Sequence, residues 1–548
     1  MKVLLTALNA KYIHINLALK CLAKYCEEFK PQIKEYTIND NIDSIIANIH
    51  QQKADVVAFS CYIWSIEKIL YISECLKKIN PNVIIILGGH EVSYDADDII
   101  KENSAIDYII RMEGEKPLKE LLKFIKYGGN IKDVPSITYR LGEEIVSNKL
   151  SEPVDMNEYE FMYGDEIKDY KGKIIYYESS RGCPYRCSYC LSSNTKKVNF
   201  LNVERVKKEL MFFIENDVPL VKFVDRTFNA DKKRANEIFK FIIENKKNTK
   251  FHFELAGNLI DDETIDILKT APKDLIQFEI GVQSTNKETI TAIGRNIEFE
   301  KIRENVKKIL KLNTIHVHLD LIAGLPFEDY QTFKKSFDDV INIRAQMLQL
   351  GFLKLLKGSK IRNEYKKYNY KFKSKAPYEV ISNDFITFDE LIKLKNIENI
   401  LDKYYNSGQF KYSIGFLFEK FESKFEIFEK ISDYYLKNGF FEISVSYDTQ
   451  YDILEKIFNI DGFSDCVKMD RMLNNKAKMK YEHSEEFKNK CFEFLKNEGN
   501  VKKYLSYFKE SSPKKMYSLL RFEKLFGKVY MYDSKNSNLV DVTNDFIM

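Results

Sequence analysis

Short continuous apolar runs recur along this chain with helical periodicity between them, and that alternation leaves few folds open. The runs at Val3–Leu8, Ile33–Ile38, Val56–Tyr62, Val83–Leu87 and Tyr108–Arg111 read as strands. The stretches Leu17–Phe29, Ile42–Gln51, Ile66–Lys78 and Pro117–Tyr127 read as helices. A strand that is apolar at every position is buried on both faces, the condition of a parallel sheet covered by helices on either side. Residues 1–140 are therefore predicted to form a doubly wound domain with its ligand site at the carboxyl edge of the sheet. That edge would carry Asn9–Tyr12, Ser60–Tyr62, Gly88, Gly89, His90, Glu113 and Gly114, so Tyr12 and Ser60 join the glycines as candidate ligand contacts. Glycines let a large ligand approach the backbone closely. A plain strand-to-helix turn accounts for Gly88–Gly89 equally well.

The alternation pauses over residues 141–173, an acidic and irregular stretch read as a linker, and resumes over 174–365. Strands are expected at Ile174–Tyr177, Leu220–Val224, Phe251–Leu255, Leu275–Ile280, Ile315–Ile322 and Leu348–Leu353. Six such units predict a partial (βα)6 barrel with its site at the C-terminal rim. Residues 366–548 turn mainly helical: Phe416, Phe418, Phe421, Phe425, Phe428 and Ile431 form an aromatic stripe best read as core, with a hairpin near Gly527–Val542. The basic, tyrosine-rich stretch Lys354–Lys375 is read as a solvated loop closing the barrel. The fold class is thus α/β with a mainly helical C-terminal domain whose role the residues do not reveal.

Chemistry enters at the loop after Tyr177, in which Cys183, Cys187 and Cys190 form C-x3-C-x2-C. Three thiolates this close can hold three irons of a 4Fe–4S cluster and leave the fourth iron open to a ligand. A structural zinc site would need a fourth ligand, usually in a second pair, and no second pair follows at that spacing. With 9 cysteines in 548 residues and an N-terminus that reads as a first strand, a disulfide framework is not expected. Cys21, Cys26, Cys61 and Cys75 are read as small buried hydrophobes, as are Cys466 and Cys491. Trp64, the single tryptophan, lies near the end of a first-domain strand and could pack against a cofactor, with ordinary core packing the main reading.

Polar residues at barrel strand ends need a reason, since burial without partners is costly. Glu254, Gln283, Arg295 and Asp320 offer carboxylates for hydroxyl groups and a cation for a carboxylate. Internal salt bridges bracing the barrel explain the same residue types equally well.

The stretch Tyr176–Ser193 resembles the radical S-adenosylmethionine (SAM) superfamily, whose signature is this cysteine motif with an aromatic residue before the last cysteine, a place Tyr189 fills. The resemblance implies that SAM chelates the open iron and is split to methionine and a 5′-deoxyadenosyl radical. F-E-x-x-x-N around Glu254, G-V-Q-S with Arg295 twelve residues after Gln283, and D-L-I-x-G-L-P from Asp320 look like the branch containing oxygen-independent coproporphyrinogen oxidase and the methylthiotransferases. There the matching Glu, Gln, Arg and Asp contact SAM. The G-G-E of that branch is replaced by F-V-D-R-T, which puts Asp225 forward for the amino-group role. A doubly wound domain placed ahead of the barrel, with G-G-H after its fourth strand, is similar to the cobalamin-binding domain of many radical SAM enzymes. No cobalt-ligating D-x-H-x-x-G occurs, so the resemblance implies a lower cobalt face that is free, water-bound or held by another group. His14 and His90 stand at that edge, though polar loop histidines need no metal.

A net charge of +4, from 85 basic and 81 acidic residues, gives no global field for nucleic acid. No run of 18 apolar residues suggests a membrane span. The expectation is a cytoplasmic, cobalamin-dependent radical SAM methyltransferase acting on an unactivated carbon of a small molecule or peptide. A reducing donor such as flavodoxin or ferredoxin would supply its electron. A cobalamin-dependent rearrangement, cyclisation or oxidation is the alternative, and an RNA-modifying methylthiotransferase a more distant one.

Overall fold

The protein is described by a computed structural model, for residues 1–158, 160–195, 197–477, 483–508 and 512–546. The chain divides into two compact units, Met1–Ser336 with Gln349–Phe388, and Phe337–Leu348 with Asp389–Met548.

Two large sheets organise the first unit. In the N-terminal sheet the parallel strands lie in the order Gln32–Thr37, Val3–Asn9, Val56–Ser60, Ile84–Gly88, Tyr108–Ile110. Every residue of Val3–Asn9 and Val56–Ser60 is buried. Alternate side chains enter two separate cores: Leu4, Leu8, Val57, Phe59, Ile85 and Leu87 on one face, Val3, Leu5, Ala7, Val56, Ala58 and Ile86 on the other. That two-sided burial is why these strands are continuous apolar runs rather than alternating ones. The order in which strands are added reverses between Val3–Asn9 and Val56–Ser60, and such a switch point opens a crevice at the strands' carboxyl ends.

The sheet does not stop at residue 140. Ile137–Leu141 and Glu144–Ser147 form an antiparallel hairpin that continues it past Tyr108–Ile110. The last strand is short, with both ends exposed and only Ile145 and Val146 half-buried between them, so it carries no apolar run and reads as linker in the sequence.

The second sheet follows chain order through Ile175–Tyr177, Leu220–Phe223, Lys250–Leu255, Ile276–Gln283, His316–Ala323 and Met347–Phe352. Its two longest strands alternate strictly between buried and half-buried positions. The buried set (Ile276, Phe278, Ile280, Val282; Val317, Leu319, Leu321) is apolar. The other set includes Glu279, Gly281, Gln283, His316, His318 and Asp320. Closed βα-barrels fill their interior with branched aliphatics; this sheet instead turns a polar face toward the site.

The second unit takes Asp389 onward together with Phe337–Leu348. It is helical and ends in a three-stranded antiparallel sheet, Leu520–Leu525, Lys528–Asp533 and Asn538–Asp541, one strand more than the expected hairpin. The aromatic stripe is split at Phe421 into helices Lys411–Lys420 and Phe425–Lys437, with Phe418, Phe425, Phe428 and Ile431 buried. Among the described residues no helix is long and apolar enough to cross a membrane.

Candidate active site

The cysteine loop leaves the rim of the barrel after strand Ile175–Tyr177, and a buried carboxylate fixes its start. Asp225, wholly buried, accepts hydrogen bonds from the Ser179 amide (2.9 Å), the Ser179 hydroxyl (2.7 Å) and the Ser180 hydroxyl (2.6 Å). Two glycines then allow close packing. At Gly182 (φ +108°) a Cβ would lie 2.7 Å from the Lys197 carbonyl oxygen, and at Gly294 (φ +70°) 2.9 Å from that of Arg186. The Ser188 amide donates to the Ile293 carbonyl (2.8 Å), and the Ser188 carbonyl accepts from the Ile361 amide (2.9 Å). So held, Cys183, Cys187 and Cys190 wall one pocket of about 260 Å³.

The opposite walls are Glu254, Glu279, Gly281, Gln283, Arg295 and Asp320, with Tyr185, Tyr189, Arg226 and Thr227 between. Arg295 reaches across: one Nη is 3.6 Å from Cys187 Sγ and the other donates to the Gly281 carbonyl at 2.7 Å. Glu279 is bonded to His252 Nε2 (3.0 Å) and to Lys222 Nζ (3.2 Å). The bond to His252 leads in holding its carboxyl at about 2, with Lys222 assisting against burial. Asp320 goes the other way: burial, then the charges of Glu279 and Glu254, raise it to about 8. Burial also raises Glu254.

Three buried polar atoms on this wall have no partner: Asp320 Oδ1, Gln283 Oε1 and Arg295 Nε. An orphaned buried polar group costs roughly 1–3 kcal/mol, so three in one pocket point to a polar ligand that satisfies them. Gln283 also stands in left-handed backbone (φ +73°), beside a register shift at Gly281, where a Cβ would lie 2.2 Å from Gln283 Nε2. Strain of this kind concentrates at ligand sites. The donor set suits a cationic nucleotide with hydroxyls and a carboxylate, as SAM is. Among the described residues no trio of His, Cys, Asp and Glu converges on a single metal ion. The three thiols instead surround a shared space, as ligands to separate corners of an iron–sulfur cluster must.

A second, larger cavity of about 680 Å³ opens at the carboxyl edge of the N-terminal sheet. Its floor and sides include Ser60, Gly88, Gly89, His90, Glu113 and Gly114, together with Ile86, Ile110, Leu118 and Trp64. At Gly89 (φ +109°) a Cβ would meet the Cys61 carbonyl oxygen at 2.6 Å. The Trp64 indole N–H donates to the Leu8 carbonyl (3.0 Å), and its ring stacks on Tyr62 at 4.5 Å. The Tyr176 hydroxyl bonds His14 Nδ1 at 2.7 Å. Arg181 is ringed by Glu178 (2.8 Å), Glu115 (2.9 Å) and Glu113 (3.3 Å). Burial raises the Glu113 carboxyl, against Arg181. At the His90 ring, burial and then Arg226 and Arg181 lower the pKa. A wide, mostly apolar crevice with backbone exposed at a switch point fits a large planar ligand with amide edges such as cobalamin.

A joint ties the two cavities. Lys357 pairs with Asp95 (2.7 Å) and Glu91 (3.2 Å), and the Tyr378 hydroxyl donates to Glu91, which is buried. Asn194, four residues past Cys190, donates to the Tyr94 hydroxyl (2.9 Å) and the Gly358 carbonyl (3.1 Å). Part of the stretch read as a solvated loop is therefore a clasp between the N-terminal sheet and the barrel.

Several expectations are corrected. Asp225 does not line the pocket; it braces Ser179 and Ser180, and burial raises it to about 6 despite their bonds. The neighbouring Arg226 and Thr227 face the pocket instead, with Thr227 Oγ1 3.3 Å from Cys183 Sγ. Tyr12 is 72% exposed, outside the larger cavity's walls, with the Lys173 ammonium over its ring. Trp64 is 43% exposed and lines that cavity rather than a core. Arg181, Arg226 and Glu279 were not singled out in the sequence, although each lies at or near a strand end, the one signal that could have found them.

Three family models match the chain: "B12 binding domain" over residues 3–122, "Radical SAM superfamily" over 177–340, and "Protein of unknown function (DUF4080)" over 366–544. Among curated relatives, a 2-(S-pantetheinyl)-carbapenam-3-carboxylate methyltransferase of Streptantibioticus cattleyicolor is 26% identical over 324 residues, 55% of this chain and 46% of that protein. The cobalamin-dependent radical SAM methyltransferase TokK of Streptomyces tokunonensis is 25% identical over 370 residues, 62% of this chain and 53% of that one. The chain thus spans about half the length of these relatives. Among solved structures, the cobalamin-dependent SAM radical enzyme OxsB with aqua-cobalamin and SAM bound has a TM-score of 0.58 at 16% identity, over 94% of this chain and 84% of that one. At that identity the likeness is one of fold.

Proposed function

We propose that this chain, which joins a B12-binding domain to a radical SAM domain, methylates an unactivated carbon of a small molecule or peptide. Bound at these sites, the cluster, SAM and cobalamin supply hydrogen-atom abstraction and a transferable methyl group. The residues supply place and environment. Cys183, Cys187 and Cys190 would hold the cluster, and Arg295, beside Cys187, would balance charge there. Gln283, Asp320 and Glu254 would bind SAM, whose polar groups would satisfy the orphaned atoms of that wall. Gly88, Gly89, Gly114 and Trp64 would seat cobalamin.

The observation that carries this reading is the common wall: Arg226 lines both cavities, so a third molecule between them would meet both. A reducing, cytoplasmic setting with a flavodoxin or ferredoxin as electron donor is part of this proposal. The test is anaerobic reconstitution with cluster, cobalamin, reductant and methyl-deuterated SAM. Labelled product accompanied by S-adenosylhomocysteine supports methyl transfer. 5′-Deoxyadenosine without S-adenosylhomocysteine supports instead a rearrangement, cyclisation or oxidation.

A further inference from the structure

We infer that Arg226 recognises a carboxylate on the molecule that is methylated. The inference rests on the reading above and adds the acceptor's chemical class. The turn after strand Leu220–Phe223 sends three side chains three ways. Asp225 is locked into the protein body by Ser179 and Ser180, Thr227 touches Cys183, and Arg226 is left at the opening between the cavities. The buried carboxylate thus aims the arginine.

Arg226 is poised but underused. Its side chain is 55% exposed, and among the described residues its one ion pair is with Glu254 at 3.7 Å, too long for a hydrogen bond. A guanidinium has five N–H donors in a planar fork matched to a carboxylate. The other arginine of the larger cavity, Arg181, is already surrounded by three glutamates. Arg295 is engaged at Cys187 and Gly281. Arg226 is therefore the cation with donors to spare where an acceptor must lie. Local charge narrows the class: Glu254, Glu279 and Asp320 line the pocket that Arg226 borders. A dianionic phosphate would face those carboxylates, whereas a monoanion is balanced by one arginine.

The test uses the wild-type holoenzyme, loaded with cluster and cobalamin, and reads phenylglyoxal modification of Arg226 by peptide mass spectrometry. The probes are butyrate, its neutral isostere butyramide, inorganic phosphate, SAM and decarboxylated SAM. Butyrate is expected to slow modification of Arg226 severalfold with SAM present, while butyramide does not and phosphate does so less. Equal protection by butyrate and butyramide, or stronger protection by phosphate, overturns the inference. Protection by SAM but not by decarboxylated SAM also overturns it, because the arginine would then serve the cofactor's carboxylate. None of these readouts requires turnover. Failure of the methyltransferase reading would show separately, as no S-adenosylhomocysteine from the wild type.

Discussion

The two cavities of the first unit solve opposite problems. The smaller one in the barrel, about 260 Å³, is built from charged and amide side chains on strand ends, several of them buried and unpartnered. The larger one, about 680 Å³, is built from glycine backbone, aliphatic side chains and two stacked aromatic rings. A small cationic nucleotide is recognised by directed hydrogen bonds, so its site holds strain and orphaned groups until it is bound. A large ligand is recognised by area and backbone approach, so its site depends on what side chains leave out. The contrast makes the smaller pocket sensitive to charge and pH and the larger one sensitive to added atoms.

The strongest way to break the contrast is Cys187→Ala. It should reduce SAM cleavage, measured as 5′-deoxyadenosine, to the level without enzyme, while bound cobalamin is unchanged; loss of both would mean the cavities are not independent. Next is Lys357→Ala in the clasp, which leaves Glu91 buried without its cation. Removing one partner of a buried pair costs about 3 kcal/mol, read as a lower urea midpoint. Gly89→Ala comes third: its Cβ would press on the Cys61 carbonyl at 2.6 Å in a left-handed conformation. A cost of about 2 kcal/mol is expected for such strain, with bound cobalamin lost and the iron content retained.

The fourth prediction concerns pH. Burial and the charges of Glu279 and Glu254 place Asp320 at about 8 in the ligand-free protein, against about 3.9 unfolded. The folded state then holds a proton that the unfolded state has released, so the contribution of this group to stability falls as pH rises from about 4 to about 8. Asp320→Asn should flatten that fall in urea titrations. SAM is a cation and favours the ionised carboxylate, so its affinity should rise with pH toward 8 in the wild type and not in the Asn variant, as calorimetry would read. The smallest effect is expected from Asp95→Asn, since its side chain is 29% exposed and an accessible pair is worth at most about 1 kcal/mol.

The barrel pocket was more legible in the sequence than the larger cavity, for a physical reason. Polar groups inside apolar strands stand out, so Glu254, Gln283 and Asp320 could be named from the strands and Arg295 from its place twelve residues after Gln283, and all line the pocket. Turns are harder. Asp225, Arg226 and Thr227 are adjacent, and which of them faces the site depends on Ser179 and Ser180, nearly fifty residues earlier in the chain. Trp64, near a strand end, fits a cofactor contact or core packing, and only the fold shows the cavity beside it. Hairpin strand Glu144–Ser147 escaped because two apolar residues, Ile145 and Val146, are too short a run to read as a strand. The clasp could not be read at all, since Lys357, Glu91 and Asp95 meet only through the tertiary fold.

The central claim is that one chain holds a cluster in the barrel and cobalamin at the N-terminal sheet, each by its own residues. Its most direct measurement is the iron and cobalt content of anaerobically reconstituted wild type, Cys187→Ala and Gly89→Ala. The account predicts about four irons and one cobalt in the wild type, cobalt with depleted iron in Cys187→Ala, and iron without cobalt in Gly89→Ala. A wild type that retains no cobalt, or variants that lose both metals together, would contradict it.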